Sequence, residues 1–191
     1  MNDRDRKGPA EIALVGDLTE HQSDLCQKLL EVAPGGECIL YIDSLGGSPY
    51  CAVGLVSLIL LRGLRATGVV AGECSSAALW PFAACTRRLV TPLSVLLFHP
   101  MKWQSDEHVG LAEAAEWARH FRELETDMDD LLARLFGVPP EKIREWSNPG
   151  RYVLGPELAE AGLAELVPLE PLPLLLGRKR GKAHDRRDQP P

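Results

Sequence analysis

"ATGVVAGECSSAALW", residues 66–80, joins two kinds of pattern. "ATGVVAG" (66–72) has the apolar, β-branched character of a strand, and from Ser76 to about Cys85 small and apolar residues run on as a helix. A strand that turns straight into a helix is the unit of an α/β fold, and its turn lies at the carboxyl end of the sheet. If Ser76 opens the helix, its hydroxyl is presented there, and the Ala77 amide is one of the helix's unpaired donors. Such an amide can hold a developing oxyanion. Ser75 and Ser76 equally suit the plain role of helix caps, and the turn alone leaves both roles open.

The neighbouring segments repeat the unit. "EIALVG" (11–16) reads as a strand, and Thr19 is placed to cap the helix "EHQSDLCQKLLEVA", with Leu25, Leu29 and Leu30 at helical spacing. "CILYID" (38–43) is a continuous apolar run of the kind buried on both faces of a sheet. The glycine turn "SLGGSP" and the apolar helix "YCAVGLVSLILLRG" follow. "TRRLV" and "SVLLF" add two short strands. The alternation predicts an α/β fold with a largely parallel sheet.

From Gly110 the pattern changes. "LAEAAEWARHFRELETDMDDLLARLFG" is one long amphipathic helix, ending at Gly137, with Leu111, Ala115, Ala118, Phe121, Leu124, Met128, Leu131, Leu132 and Leu135 near one side. "PPEKIREWS" and "GPELAEAGL" read as short helices and "AELVP" as a last strand. The expected organisation is a short polar segment (1–10), one domain (11–168), and a tail (169–191) rich in Pro and then in charge, with disorder expected from about residue 177.

Composition removes several classes of function. The 191 residues carry a net charge of −6 and are 45% hydrophobic, which suits one domain with a real core and offers no basic surface to nucleic acid. No apolar run reaches the roughly 20 residues that span a bilayer. "MNDRDRKGPAE" lacks the apolar stretch of a signal peptide, so a cytoplasmic location is expected. Cys26, Cys38, Cys51, Cys74 and Cys85 are odd in number and lack metal-ligand spacing, so reduced thiols and no metal site are expected.

His99 gives the turn at Ser76 a chemical meaning. It ends the strand "SVLLFHP" and so projects at a second strand end. A serine and a histidine placed this way are what an acyl-transfer pair needs, because imidazole must reach the hydroxyl to take its proton. "SLGGSP" follows a neighbouring strand at the same end, and its Gly47 amide is a candidate second oxyanion donor. His21, His108, His120 and His184 lie on polar faces or in the tail and compete poorly.

Taken in order, "YIDSLGGSPYCAVGL", "GECSSAAL", "VLLFHP" and "RYVLGPELAEAGLAELV" resemble the motifs of the Clp protease proteolytic subunit, over roughly residues 11–168. The resemblance implies a Clp protease/crotonase-type spiral of strand–helix units, with Ser76 as nucleophile, His99 as general base, and Gly47 and Ala77 as oxyanion donors. It is this alignment that prefers Ser76 to Ser75. It further implies that helix 110–136 is a handle between stacked heptameric rings, that the substrates are unfolded polypeptides, and that an AAA+ Clp-type unfoldase delivers them. No cofactor is implied.

Three departures stand out. Gly150 occupies the place of the family's catalytic aspartate, and Asn148 is the nearest polar side chain able to orient an imidazole. The segment before the first strand is shorter than the family's axial loops. Pro100 stands directly after His99, where the family usually has glutamine. Beside a serine endopeptidase subunit, two further readings therefore stay open: a catalytically impaired ring subunit that assembles with an active paralogue, and a crotonase-type acyl-CoA enzyme.

Overall fold

The computed structural model of the chain describes residues 8–105 and 108–169. The expected tail therefore lies almost wholly outside the described residues, as does most of the polar segment 1–10. Strands and helices alternate through the first half: β1 (Ala10–Asp17), α1 (Leu18–Glu31), β2 (Glu37–Gly46), α2 (Pro49–Leu61) and β3 (Arg65–Ser75). A 3₁₀ turn, Ser76–Ala78, runs into the short helix α3 (Leu79–Ala83), and β4 (Arg87–Val90) and β5 (Val95–Phe98) follow. The second half holds α4 (Leu111–Phe136), α5 (Pro140–Ser147), β6 (Arg151–Leu154), α6 (Gly155–Glu160) and β7 (Glu165–Leu166).

The described strands form one sheet in the order β1-β2-β3-β4-β7, parallel throughout, with β5 set against the far half of β3. Strand β3 is long enough to serve two partners in turn. Thr67–Val70 pair with β4, and Glu73–Ser75 pair with β5. The gap where the sheet divides is closed by side chains. The buried Ser94 hydroxyl accepts from the Thr91 amide at 2.7 Å and donates to the Val70 carbonyl at 2.8 Å. Splitting β3 in this way carries Ser75 and Ser76 to a strand end beside the end of β5, where His99 follows.

Helices α1 and α2 cover one face of β1–β3, and Leu14, Leu25, Leu40, Ile42, Leu55 and Ile59 are all nearly solvent-free there. The other face is open. Along β2 burial alternates: Cys38, Leu40 and Ile42 are inside, whereas Tyr41 is 39% exposed and Leu45 is 61% exposed. The expectation that "CILYID" is buried on both faces is thus corrected for the isolated chain, because helices pack on one side only.

Two other details differ from the sequence reading. Asp17, not Thr19, caps α1, accepting from the Thr19 amide at 2.7 Å, and the Thr19 hydroxyl instead accepts from the Ser48 amide. "RYVL" forms β6, antiparallel to β5, a pairing that its short mixed pattern did not announce.

Helix α4 lies where the periodicity placed it and ends at Gly137 with φ 72°, the left-handed conformation glycine adopts freely. Its C-terminal half is anchored: Met128, Leu132, Ala133 and Phe136 are buried, and the Trp80 indole donates to the Met128 carbonyl at 2.8 Å. Its N-terminal half stands away, with Leu111 89% exposed and Ala115 and Ala118 open to solvent. Trp117 and Phe121 have a partner within the chain, since Trp103 lies edge-on to one and stacks on the other.

Candidate active site

Ser76 sits where β3 gives way to the 3₁₀ turn, and its φ of 53° lies in the left-handed region. For a residue other than glycine this conformation costs about 1–3 kcal/mol and persists only where the surroundings impose it. Here they do. Gly46 packs so closely behind the turn that a Cβ on it would lie 2.7 Å from Ser76 Cβ and 2.9 Å from the Ala77 amide nitrogen. The strand behind is fixed through the buried Ser44, whose hydroxyl donates to the Gly16 carbonyl and accepts from the Gly46 amide. A strained serine on a strand-to-helix turn is a familiar way of exposing a nucleophilic hydroxyl.

Ser75 is placed differently. It is 1% exposed, and its hydroxyl donates to Glu73 at 2.6 Å. That bond ties down the end of β3 and leaves the hydroxyl no access to solvent.

Ser76, Ala77, Gly47 and His99 line one cleft of about 160 Å³. The Ala77 amide belongs to the first turn after the strand, where donors have no partner inside the helix. Gly47 lies at the end of β2 with φ 149°, and a Cβ there would meet the Asp17 carboxylate and the Thr19 hydroxyl at 2.8 Å. Glycine is therefore required at Gly47 and at Gly46, by backbone conformation and by space.

The ring of His99 is held by the residue after it, with Nδ1 2.6 Å from the Pro100 carbonyl oxygen. A carbonyl only accepts, so Nδ1 carries the hydrogen and Nε2 of the neutral ring is left as the basic nitrogen. Gly150 is the neighbour the sequence places there: a Cβ on it would lie 3.3 Å from His99 Cβ. Its φ is 127°, unfavourable for any side chain. Asn148 is exposed and ends α5, its backbone amide bonded to the Arg144 carbonyl; the cleft is lined by Ser147 instead.

The cleft also takes residues that the sequence reading did not single out. Helix α4 contributes Glu125, Met128, Asp129 and Leu132, and the chain after His99 contributes Met101 and Lys102. Glu125 accepts from the Met101 amide at 2.6 Å, which fastens the segment after His99 to α4. Burial, and then the nearby Glu125, push the Asp129 carboxyl up to about 6, against a smaller opposing effect of Arg144. The signal was present as two acids one helical turn apart on the side that carries Met128 and Leu132. In the helix's own sequence that side looks like packing surface alone.

Among the described residues no group of His, Cys, Asp and Glu could hold a metal ion, and no helix is long and apolar enough to cross a membrane. All five cysteines are free.

No protein-family model and no curated protein matches the sequence. The fold does match solved structures. An asparagine-to-aspartate mutant of ClpP1 from Listeria monocytogenes superposes with a TM-score of 0.72, over 83% of this chain and 91% of that one, at 17% identity. The chain has a ClpP-like α/β fold.

Proposed function

We propose that the chain is a ClpP-like serine endopeptidase subunit, cutting unfolded polypeptides in a ring of like subunits fed by an AAA+ Clp-type unfoldase. The observation that carries this reading is the strained Ser76 opening onto the same cleft as a histidine whose Nδ1 proton is already committed. In the acylation step Ser76 Oγ attacks the substrate carbonyl carbon while its proton passes to His99 Nε2. The Gly47 and Ala77 amides hold the oxyanion as the tetrahedral intermediate forms. His99 then protonates the departing amine, and a water molecule, deprotonated by the same nitrogen, hydrolyses the acyl-enzyme.

The Pro100 carbonyl performs one of the two tasks of a triad acid. It selects the tautomer, but it carries no full charge to stabilise the imidazolium. Replacing the acid of a serine-protease triad by its amide has lowered kcat by about 10⁴ through the wrong tautomer. The Pro100 carbonyl averts that loss here, so the missing charge accounts for a smaller part of that range. Gly150 thus favours one second reading, a subunit of low intrinsic activity that assembles beside an active paralogue.

Fluorophosphonate labelling followed by intact mass tests the proposal. The wild type and Ser75→Ala gain one adduct, and Ser76→Ala gains none. Labelling at Ser75, or no adduct in the wild type under forcing conditions, removes the catalytic reading.

A further inference from the structure

We infer that the cleft beside Ser76 is a side-chain subsite for lysine or arginine, with Asp129 as the residue that determines specificity. The inference rests on the acyl-transfer reading above. A carbonyl held between Ser76 and the amides of Gly47 and Ala77 must place a neighbouring side chain of the substrate in the cleft those groups share.

The walls of that cleft suit a long aliphatic stem. Phe98, Met128 and Leu132 are almost solvent-free, and Trp80 and Met101 are partly buried beside them. Lysine and arginine bury such stems on apolar surface while their charged ends seek polar partners.

The polar partners come from α4. Glu125 and Asp129 are one turn apart and both line the cleft. Glu125 already accepts from the Met101 amide. Asp129 has no hydrogen bond or ion pair among the described residues, because the nearby Arg144 is committed to Asp130 at 2.5 Å. Lys102 also lines the cleft, yet it is exposed and forms no ion pair with either acid among the described residues. The cleft therefore holds a half-buried carboxylate with no hydrogen bond or ion pair among the described residues, its charge offset only in part by Arg144, and its raised protonation range reports the same imbalance.

A substrate cation relieves that imbalance with a charge-assisted hydrogen bond. An apolar side chain of equal length fills the walls but leaves the carboxylate desolvated and unpaired. The expected discrimination is at least about tenfold, as for hydrogen bonds to charged groups.

Two peptidyl diphenyl phosphonates of the same backbone, one with a lysine-like and one with a norleucine side chain, test this on the full chain. Each reacts by displacement of phenoxide by Ser76 Oγ, read as an intact-mass adduct. In the wild type the lysine probe reacts at least about tenfold faster; in Asp129→Asn the ratio falls to near one; in Asp127→Asn, on the exposed side of α4, it stays as in the wild type. A norleucine preference in the wild type, or an unchanged ratio in Asp129→Asn, overturns the inference. So does an equal loss for both probes, which would mean that Asp129 acts through His99.

A second measurement needs no chemistry at Ser76. Butylguanidinium titrated into Ser76→Ala, followed by NMR of the Trp80 indole, should bind saturably and at least about fivefold more weakly once Asp129→Asn is added. Absence of saturable binding overturns the subsite. Saturable binding without labelling by the side-chain-free fluorophosphonate would instead overturn the acyl-transfer reading alone.

Discussion

Nδ1 of His99 is 2.6 Å from the carbonyl oxygen of Pro100, the residue that follows it in the chain. A backbone dipole thus orients the ring, and Gly150, lacking any side chain, lies against the Cβ and backbone of the same histidine. The local chain supplies orientation without charge.

Gly150→Asp should divide these two effects. The added carboxylate can stabilise the imidazolium, so peptide hydrolysis at pH 7 should rise by tenfold or more within the ~10⁴ range of a triad acid. The left-handed φ at the site should lower stability by about 1–3 kcal/mol. Steady-state kinetics and thermal unfolding on one preparation check both. An unchanged kcat in a folded variant would show that position 150 is not where the acid is missing.

Ser75→Ala should lower stability by about 1 kcal/mol, the usual net worth of a buried hydrogen bond such as the one to Glu73. Fluorophosphonate labelling should persist. Urea unfolding and labelling of the same sample separate this structural serine from Ser76.

Gly46→Ala should be worse than its size suggests. The new methyl would lie 2.7 Å from Ser76 Cβ and 2.8 Å from the Ser75 carbonyl oxygen, on a backbone with φ 103°. A loss of about 2 kcal/mol or more in stability is expected, together with loss of labelling, because the Ala77 amide must shift. Gly35→Ala, with φ 71° but open space around it, isolates the backbone share, at about 1 kcal/mol.

Asp129 makes stability depend on pH in a definite direction. Its folded-state carboxyl is raised from 3.8 to about 6, so between those values the folded chain holds a proton that the unfolded chain releases. Stability from this group is full below about pH 4, falls as pH rises to 6, and stays low above. Asp129→Asn should therefore be more stable than the wild type at pH 7.5, by about 1 kcal/mol after allowance for solvent screening at a half-buried site. The difference should vanish at pH 4. Urea midpoints at the two pH values decide it.

The open face of the sheet predicts assembly. Ala13, Tyr41 and Val69 form one row across β1, β2 and β3, and the same side continues to Leu154 and Tyr152, which are 52% and 64% exposed. Exposed apolar side chains gathered on one face in this way suit an interface. Light scattering should report a mass many times 20.9 kDa, alone or with a paralogous subunit, and Leu154→Glu should lower it. A wild type that is monomeric in both conditions would remove the ring.

Periodicity was enough to read β1 to β5, the long α4 and the α/β class, because strand and helix repeats depend on which side of each element meets the core. Gly137 and the strand–turn–helix at Ser76 were legible for the same reason: backbone conformation and small residues are local properties. Three things were decided only in three dimensions. The face of β2 holding Tyr41 is open because α1 and α2 pack on one side alone, which no single strand encodes. The pairing of Nδ1 with Pro100 depends on a ring rotamer rather than on a motif. Glu125 and Asp129 reach the cleft because Trp80 and Met101 dock α4 against the segments that carry Ser76 and His99. A helix's own sequence shows that two acids share a side, and only packing determines what that side meets.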